Sequence, residues 1–205
     1  MTRPPITLVR RAVLGLALVP LAALVYGFFG GSLSANPVDY LTDQTGDWAL
    51  IFLIASLAVT PIRRLSGWNE LVRLRRTIGL LAFFYAALHF AVWVTLVSFF
   101  DVPTMIEDVT MRPFITVGMA TLLILLALAV TSNTASIRRL GRRWATLHRM
   151  VYVAAIGGVI HFWWLVKADV TRPRRYAVVL ALLLAFRLWW ARRSRLPTAR
   201  VSPRA

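Results

Sequence analysis

Cysteine is absent from the chain. That gap excludes disulfides, cysteine-ligated iron–sulfur clusters, thiol catalysis and the covalent attachment of a c-type haem. Any haem held by this protein is therefore noncovalent. Acidic residues are scarce: 8 Asp and Glu stand against 24 Lys and Arg, for a formal net charge of +16. No G-x-G-x-x-G or Walker-type glycine loop occurs, so no nucleotide-binding domain is expected. Histidine is limited to 3 positions. After the last apolar run only a short basic tail remains, too little for a soluble domain.

What the chain has in excess is apolar surface. Apolar residues make up 59% of its 205 positions, against about 45–50% in soluble domains. They fall in long runs, the pattern of membrane-spanning helices. Six runs are expected to span, over residues 12–29, 46–62, 77–100, 113–131, 146–166 and 176–191. The first is broken by Pro20 and is longer than a signal-peptide core, so it reads as a retained, kinked helix. The second is short for a span. The sixth contains Arg187, beside Trp189 and Trp190, where its side chain can snorkel to the interface. The connections are short, which suits an antiparallel bundle. The expected fold is an all-α polytopic membrane bundle forming a single domain over 1–205. No internal repeat is visible.

The charges between the runs alternate. Residues 30–47 hold Asp39, Asp43 and Asp47 and no basic residue; 101–112 hold Asp101, Glu107 and Asp108 against Arg112. Arginines crowd 63–76, 132–145 and the tail. The positive-inside rule then places both termini in the cytoplasm. The same Arg clusters read as contacts to lipid headgroups rather than to nucleic acid. One loop dissents: Lys167, Arg172, Arg174 and Arg175 fall on the outer side. It is a candidate docking surface for an acidic partner.

His89, His148 and His161 all lie inside apolar runs. Ionisable groups at membrane depth are costly and tend to be functional, although a neutral His can also serve as an interhelical hydrogen-bonding group. At about 1.5 Å per residue, His89 lies roughly 18 Å along its span and His161 roughly 22 Å along its own, both counted from the cytoplasmic side. His148 lies only about 3 Å in. Matched depths on two helices allow His89 and His161 to clamp one haem iron, with His148 marking a second level. His148 and His161 are about 140° out of phase on a straight helix; Gly157-Gly158 between them could bend it or admit a porphyrin. Zinc would need tighter convergence of ligands. A transporter or channel using these histidines is an alternative, weakened by the lack of mid-span Asp or Glu; a passive membrane anchor is another. Phe83, Phe84, Tyr85, Phe90, Trp93, Phe162, Trp163 and Trp164 surround His89 and His161 in sequence, and each taken singly reads as ordinary packing.

Several landmarks in order carry a resemblance: Ala35-Asn36-Pro37-Val38, Thr45-Gly46, Thr60-Pro61, Arg73 to Leu80, Ala87-Leu88-His89, Arg112-Pro113, and above all Leu140 to His161 (LGRRWATLHRMVYVAAIGGVIH). With these the chain resembles the MsrQ family, formerly YedZ, the haem-binding membrane subunits of periplasmic methionine sulfoxide reductase systems, which belong with the ferric-reductase-like transmembrane proteins. The resemblance implies haem b with axial ligands matching His89, His148 and His161, FMN in some members, and a quinone or flavin-reductase electron donor. It also implies an inner-membrane location and a periplasmic molybdopterin-containing partner, MsrP, which reduces methionine sulfoxide in envelope proteins. In that scheme the chain is an electron-transfer subunit and not the catalytic one. Arg73, Arg75, Arg76, Arg142 and Arg143 could meet a flavin phosphate, and they read more strongly as topology determinants.

Overall fold

A computed structural model describes residues 4–166 and 168–193. Lys167 and the tail arginines beyond 193, which enter the charge reading above, lie outside the described residues. Nine α-helices form among them: α1 (Ile6–Phe29), α2 (Pro37–Ser66), α3 (Val72–Val92), α4 (Val102–Met111), α5 (Pro113–Val130), α6 (Thr134–Leu140), α7 (Arg142–His148), α8 (Met150–Leu165) and α9 (Thr171–Arg193). Five segments are long and apolar enough to cross a membrane: α1, α2, α3 with its flanking turns, α5, and α7 joined to α8. α9 falls outside that group, because arginines stand at both its ends and Arg187 interrupts its apolar stretch. It nevertheless packs along α2 and α8 and takes the sixth place in the bundle.

Helix limits exceed the apolar runs where polar residues continue the helical register. α2 begins at Pro37, with Asn36 as its cap accepting from the Asp39 N–H at 3.4 Å. Proline suits a first turn, whose N–H groups have no intrahelical partner. Residues 37–47 are thus helix rather than loop, and the 30-residue α2 is ample to span. Its polar first turns are invisible to a search for apolar residues alone. The segments 101–112 and 132–145 likewise contain α4, and α6 with α7. α3 runs on into a π-helical turn, Trp93–Val97, followed by Phe99 and Phe100 at positive φ.

The bundle has two chemically distinct ends. Asp39, Asp43, Asp47, Asp101, Glu107, Asp108 and Asp169 gather at one, called here the acidic end. The other, basic end carries the arginines of 63–76 and 138–149, with Glu70.

Two helical hairpins build the centre: α2 lies along α3, and α5 along α8. Both leave the acidic end on their first helix and return on their second, as parallel repeats do. Their residues match at one constant sequence interval: Gly46 with Gly118, Leu53 with Leu125, Ala82 with Ala154, His89 with His161. Few positions beyond these coincide, which is why no repeat shows in the sequence. Leu53, Leu125, Ala82 and Ala154 all lie in the main core, where Leu50, Leu57, Ala155, Val159 and Leu180 join them. The fully buried alanines let helices approach closely. That matters in a bilayer, where lipid is as apolar as leucine and close packing drives association. The outward faces expose residues such as Leu16, Leu123 and Leu182, as lipid contact requires.

α1 is tied in through Tyr85 of α3. Its side chain is fully buried, and its hydroxyl donates to the Ala17 carbonyl at 2.5 Å. Pro20 of α1 lacks an N–H and so cannot donate to the Leu16 carbonyl one turn earlier; the tyrosine bonds the adjacent carbonyl, that of Ala17.

Candidate functional site

Each hairpin presents one histidine near the acidic end, held in the same way. His89 Nδ1 lies 2.9 Å from the Thr42 carbonyl of α2, and His161 Nδ1 lies 2.6 Å from the Phe114 carbonyl of α5. In both cases 47 residues separate histidine and acceptor. A carbonyl oxygen only accepts, so each Nδ1 carries the proton and donates it. That fixes the tautomer and leaves each Nε2 with its lone pair, the form in which imidazole binds a metal. The Thr45 hydroxyl, which donates to the Leu41 carbonyl, lies a further 3.4 Å from His89 Nδ1.

Glycine makes room for both rings. A Cβ on Gly46 would come within 3.2 Å of His89 Nδ1, and one on Gly118 within 2.7 Å of His161 Nδ1. The second distance is shorter than side chains tolerate without moving. In each hairpin the glycine follows the acceptor carbonyl by one helical turn, so carbonyl and gap face the imidazole together.

The structure brings His89 and His161 together: their ring centres are 6.2 Å apart, with the planes at 80°. That separation leaves room for a metal ion between the rings, each imidazole at the usual metal–nitrogen distance of about 2.0–2.1 Å. Both line a cavity of about 340 Å³, within the size range of small-molecule and cofactor sites, about 300–1,000 Å³. Its wall is mostly apolar, with Leu50, Leu53, Leu122 and Leu125 among the lining residues. Two neutral imidazoles over an apolar slot suit the iron of a noncovalent haem. They do not suit zinc, which takes four ligands: no cluster of three metal-binding side chains occurs among the described residues.

His148 is not part of this pair. It ends α7 at the basic end, where its Nε2 lies 3.1 Å from the Thr131 hydroxyl. Trp144 stacks on its ring at 4.0 Å and donates its indole N–H to the Thr131 carbonyl at 2.9 Å. α7 continues into α8 at Arg149 through i→i−3 hydrogen bonds, a tighter turn than the straight helix assumed for the phase of His148 and His161. Both histidines thereby meet α5, one at each end. Gly157 packs closely on Thr121 of α5 and Gly158 on Leu50 of α2. The two glycines act in helix packing, and Gly158 also borders the cavity.

The aromatic residues divide. Phe90, Trp93 and Phe162 line the cavity, whereas Phe84, Trp163 and Trp164 are exposed. The dissenting basic loop changes meaning as well. Arg172 lies in the first turn of α9 and pairs with Asp43 at 3.6 Å and with Asp47, and its guanidinium stands over the Phe162 ring. Tyr176 reinforces Asp47 at 3.4 Å. Arg172 is therefore partnered within the chain, with its side chain half-exposed. Asp169 lies beside Arg174 and Arg175, and its hydrogen bonds from Thr171 hold its carboxyl below the usual range.

Toward the basic end, Arg187 donates to the Tyr152 hydroxyl at 2.6 Å and to the Leu57 carbonyl at 2.7 Å. It is held within the bundle rather than extended to the interface. The acceptors Thr42 and Phe114, the gaps at Gly46 and Gly118, and Arg112 and Arg172 were not legible as site residues. A backbone carbonyl carries no side-chain signature. The available signal was the equal interval from Gly46 to Gly118 and from His89 to His161.

Comparison with known proteins is extensive. Residues 45–159 match the family described as "Ferric reductase like transmembrane component". A protein of Herminiimonas arsenicoxydans is 46% identical over 191 residues, covering 92% of this chain and 88% of its own length. One of Ralstonia nicotianae is 47% identical, with 91% and 88% covered. One of Rhodospirillum rubrum is 50% identical, with 87% and 86% covered. All three are named "Protein-methionine-sulfoxide reductase heme-binding subunit MsrQ". No solved structure matches the chain.

Proposed function

The chain belongs to the MsrQ family of ferric-reductase-like transmembrane proteins, and from that premise we propose that it is the haem-binding, electron-carrying membrane subunit of a methionine sulfoxide reductase system. The observation that carries this reading is the His89–His161 pair, 6.2 Å between ring centres, with both Nδ1 protons committed to backbone carbonyls. His89 and His161 would hold haem b; the group supplies one-electron redox chemistry when bound. Holding the group through two imidazoles would suit it to electron transfer rather than to substrate binding. The carbonyls of Thr42 and Phe114 keep the rings oriented and the Nε2 atoms basic. A passive anchor would have no use for two such histidines.

The direction of transfer follows from charge. By the positive-inside rule the basic end faces the cytoplasm, both termini with it, and the acidic end faces the periplasm of a bacterial inner membrane. Electrons then arrive from a quinol or reduced flavin and leave at the acidic end to a periplasmic molybdopterin reductase of the MsrP type. His148, at the basic end, is the candidate for a second level, and FMN is a further candidate cofactor there. The whole chain acts as one ferric-reductase-like domain and contributes no catalytic residues of its own.

The visible spectrum of the detergent-purified full chain tests the central claim. A reducible b-type spectrum is expected. A colourless protein that stays without a low-spin spectrum after haem is added would overturn it.

A further inference from the structure

The cavity that receives both histidines changes character at its acidic end. Two guanidinium groups border it there, those of Arg112 and Arg172. Arg112 caps α5, two residues before the carbonyl that holds His161. Arg172 reaches from α9 to Asp47, the neighbour of the Gly46 on which His89 rests. Arg112 thus adjoins the hairpin that holds His161, and Arg172, from α9, is ion-paired to the hairpin that holds His89. Neither serves as a topology signal, since both lie at the end where acidic residues collect.

Their present contacts show what they recognise. Arg112 uses its Nε on Asp108 at 3.0 Å, and its terminal nitrogens make no other hydrogen bond among the described residues. Arg172 divides its terminal nitrogens between Asp43 and Asp47. A guanidinium offers five donors in a planar fork that matches carboxylates, so Arg112 keeps its terminal nitrogens for an acid group, and Arg172 can take one beside or in exchange for its aspartates. An acid group brought into an apolar cavity must find a cation or remain in water. Along this wall the other charged groups are Asp39, Asp43, Asp47 and Asp108, all of the repelling sign.

We infer that Arg112 and Arg172 form a carboxylate-binding subsite of the His89–His161 cavity, which receives the two acid groups of a porphyrin dicarboxylate. The inference rests on the haem reading above. It assigns the aspartates a second role: Asp43 and Asp47 keep Arg172 turned into the bundle and compete with the incoming acid groups for it.

The test compares haem b with its dimethyl ester, in which both acid groups are capped, titrated into the full chain prepared without haem in detergent. Wild type should bind the free acid about ten- to a hundredfold more tightly than the ester, the ratio expected for charge-assisted hydrogen bonds. Arg112→Gln and Arg172→Gln should each lower that preference about tenfold, with the low-spin spectrum retained. Because Arg172 also ties α9 to α2, the variant carrying Asp43→Asn and Asp47→Asn gives an independent reading. Freed of its competitors, Arg172 should raise the preference for the free acid, and adding Arg172→Gln should cancel that rise, whereas the mere loss of two negative charges from the wall would raise the preference with or without Arg172 and would overturn its role. An undiminished preference in both arginine variants, or no rise in the aspartate variant, would overturn the subsite. If neither haem nor ester gives a low-spin spectrum in wild type, the haem reading itself fails and the subsite falls with it.

Discussion

In the hairpin α2–α3, His89 rests on Gly46 and donates to the carbonyl of Thr42. In the hairpin α5–α8, His161 rests on Gly118 and donates to the carbonyl of Phe114. At the acidic end the two halves are built alike. At the basic end they diverge: the second hairpin has His148 bonded to Thr131 and stacked on Trp144, while the matching positions of the first hold Arg76, Val59 and Val72. One level of the bundle thus offers an imidazole from each side, and the other from one side only. Two histidines meet only where the halves agree.

The sharpest way to break the comparison is to remove its histidines. His89→Ala and His161→Ala should each abolish a bis-imidazole low-spin signal in electron paramagnetic resonance, and His148→Ala should leave it. Unchanged low-spin haem in both of the first two variants would dissolve the pairing. A smaller effect is expected in the shared core. Leu53→Ala and Leu125→Ala, exposed by only 3% and 5%, should destabilise equally. Such truncations cost about 2–5 kcal/mol in soluble cores, and the lower bound applies here because the surrounding lipid is also apolar. Thermal unfolding in detergent compares them; unequal losses would show that one hairpin dominates the fold.

The glycines should separate the halves. Gly118→Ala forces a Cβ to 2.7 Å from His161, against 3.2 Å at Gly46. Overpacking of that kind costs about 1–3 kcal/mol, so Gly118→Ala should lower haem occupancy clearly and Gly46→Ala much less. Pyridine haemochrome quantitation reads both, and equal occupancy would contradict the difference in room. The smallest effect belongs to the one-sided level. Thr131→Val removes one hydrogen bond to His148, worth about 1 kcal/mol, and should lower the melting temperature slightly while the low-spin signal of the other pair stays intact. A lost signal would tie His148 to the same cofactor as His89 and His161.

That His89 and His161 lie at one level was legible from depth, because helical rise converts sequence position into distance along a membrane span. Position around the helix was not. The phase relation of His148 to His161 assumed one straight helix, and the tightened turn at Arg149 departs from that assumption. The reading of 37–47 as connection failed for a related reason. Apolar content marks where lipid touches a helix, and the first turns of α2 face carboxylates and a cavity instead. Arg172 looked like a free surface charge because its partners, Asp43 and Asp47, are distant in sequence.

By itself the sequence determined the membrane class, the near-equal depth of two histidines, the separation of acidic from basic ends, and the exclusion of every cysteine-based cofactor. These follow from composition and from one-dimensional spacing, which the bilayer reads directly. Only the tertiary structure decided which nitrogen of each imidazole is free, that glycine makes space for the rings, and that two arginines border the same cavity. Each of these depends on a backbone carbonyl, a missing side chain or a partner on another helix. Such features carry no local signature and come into being only when helices pack.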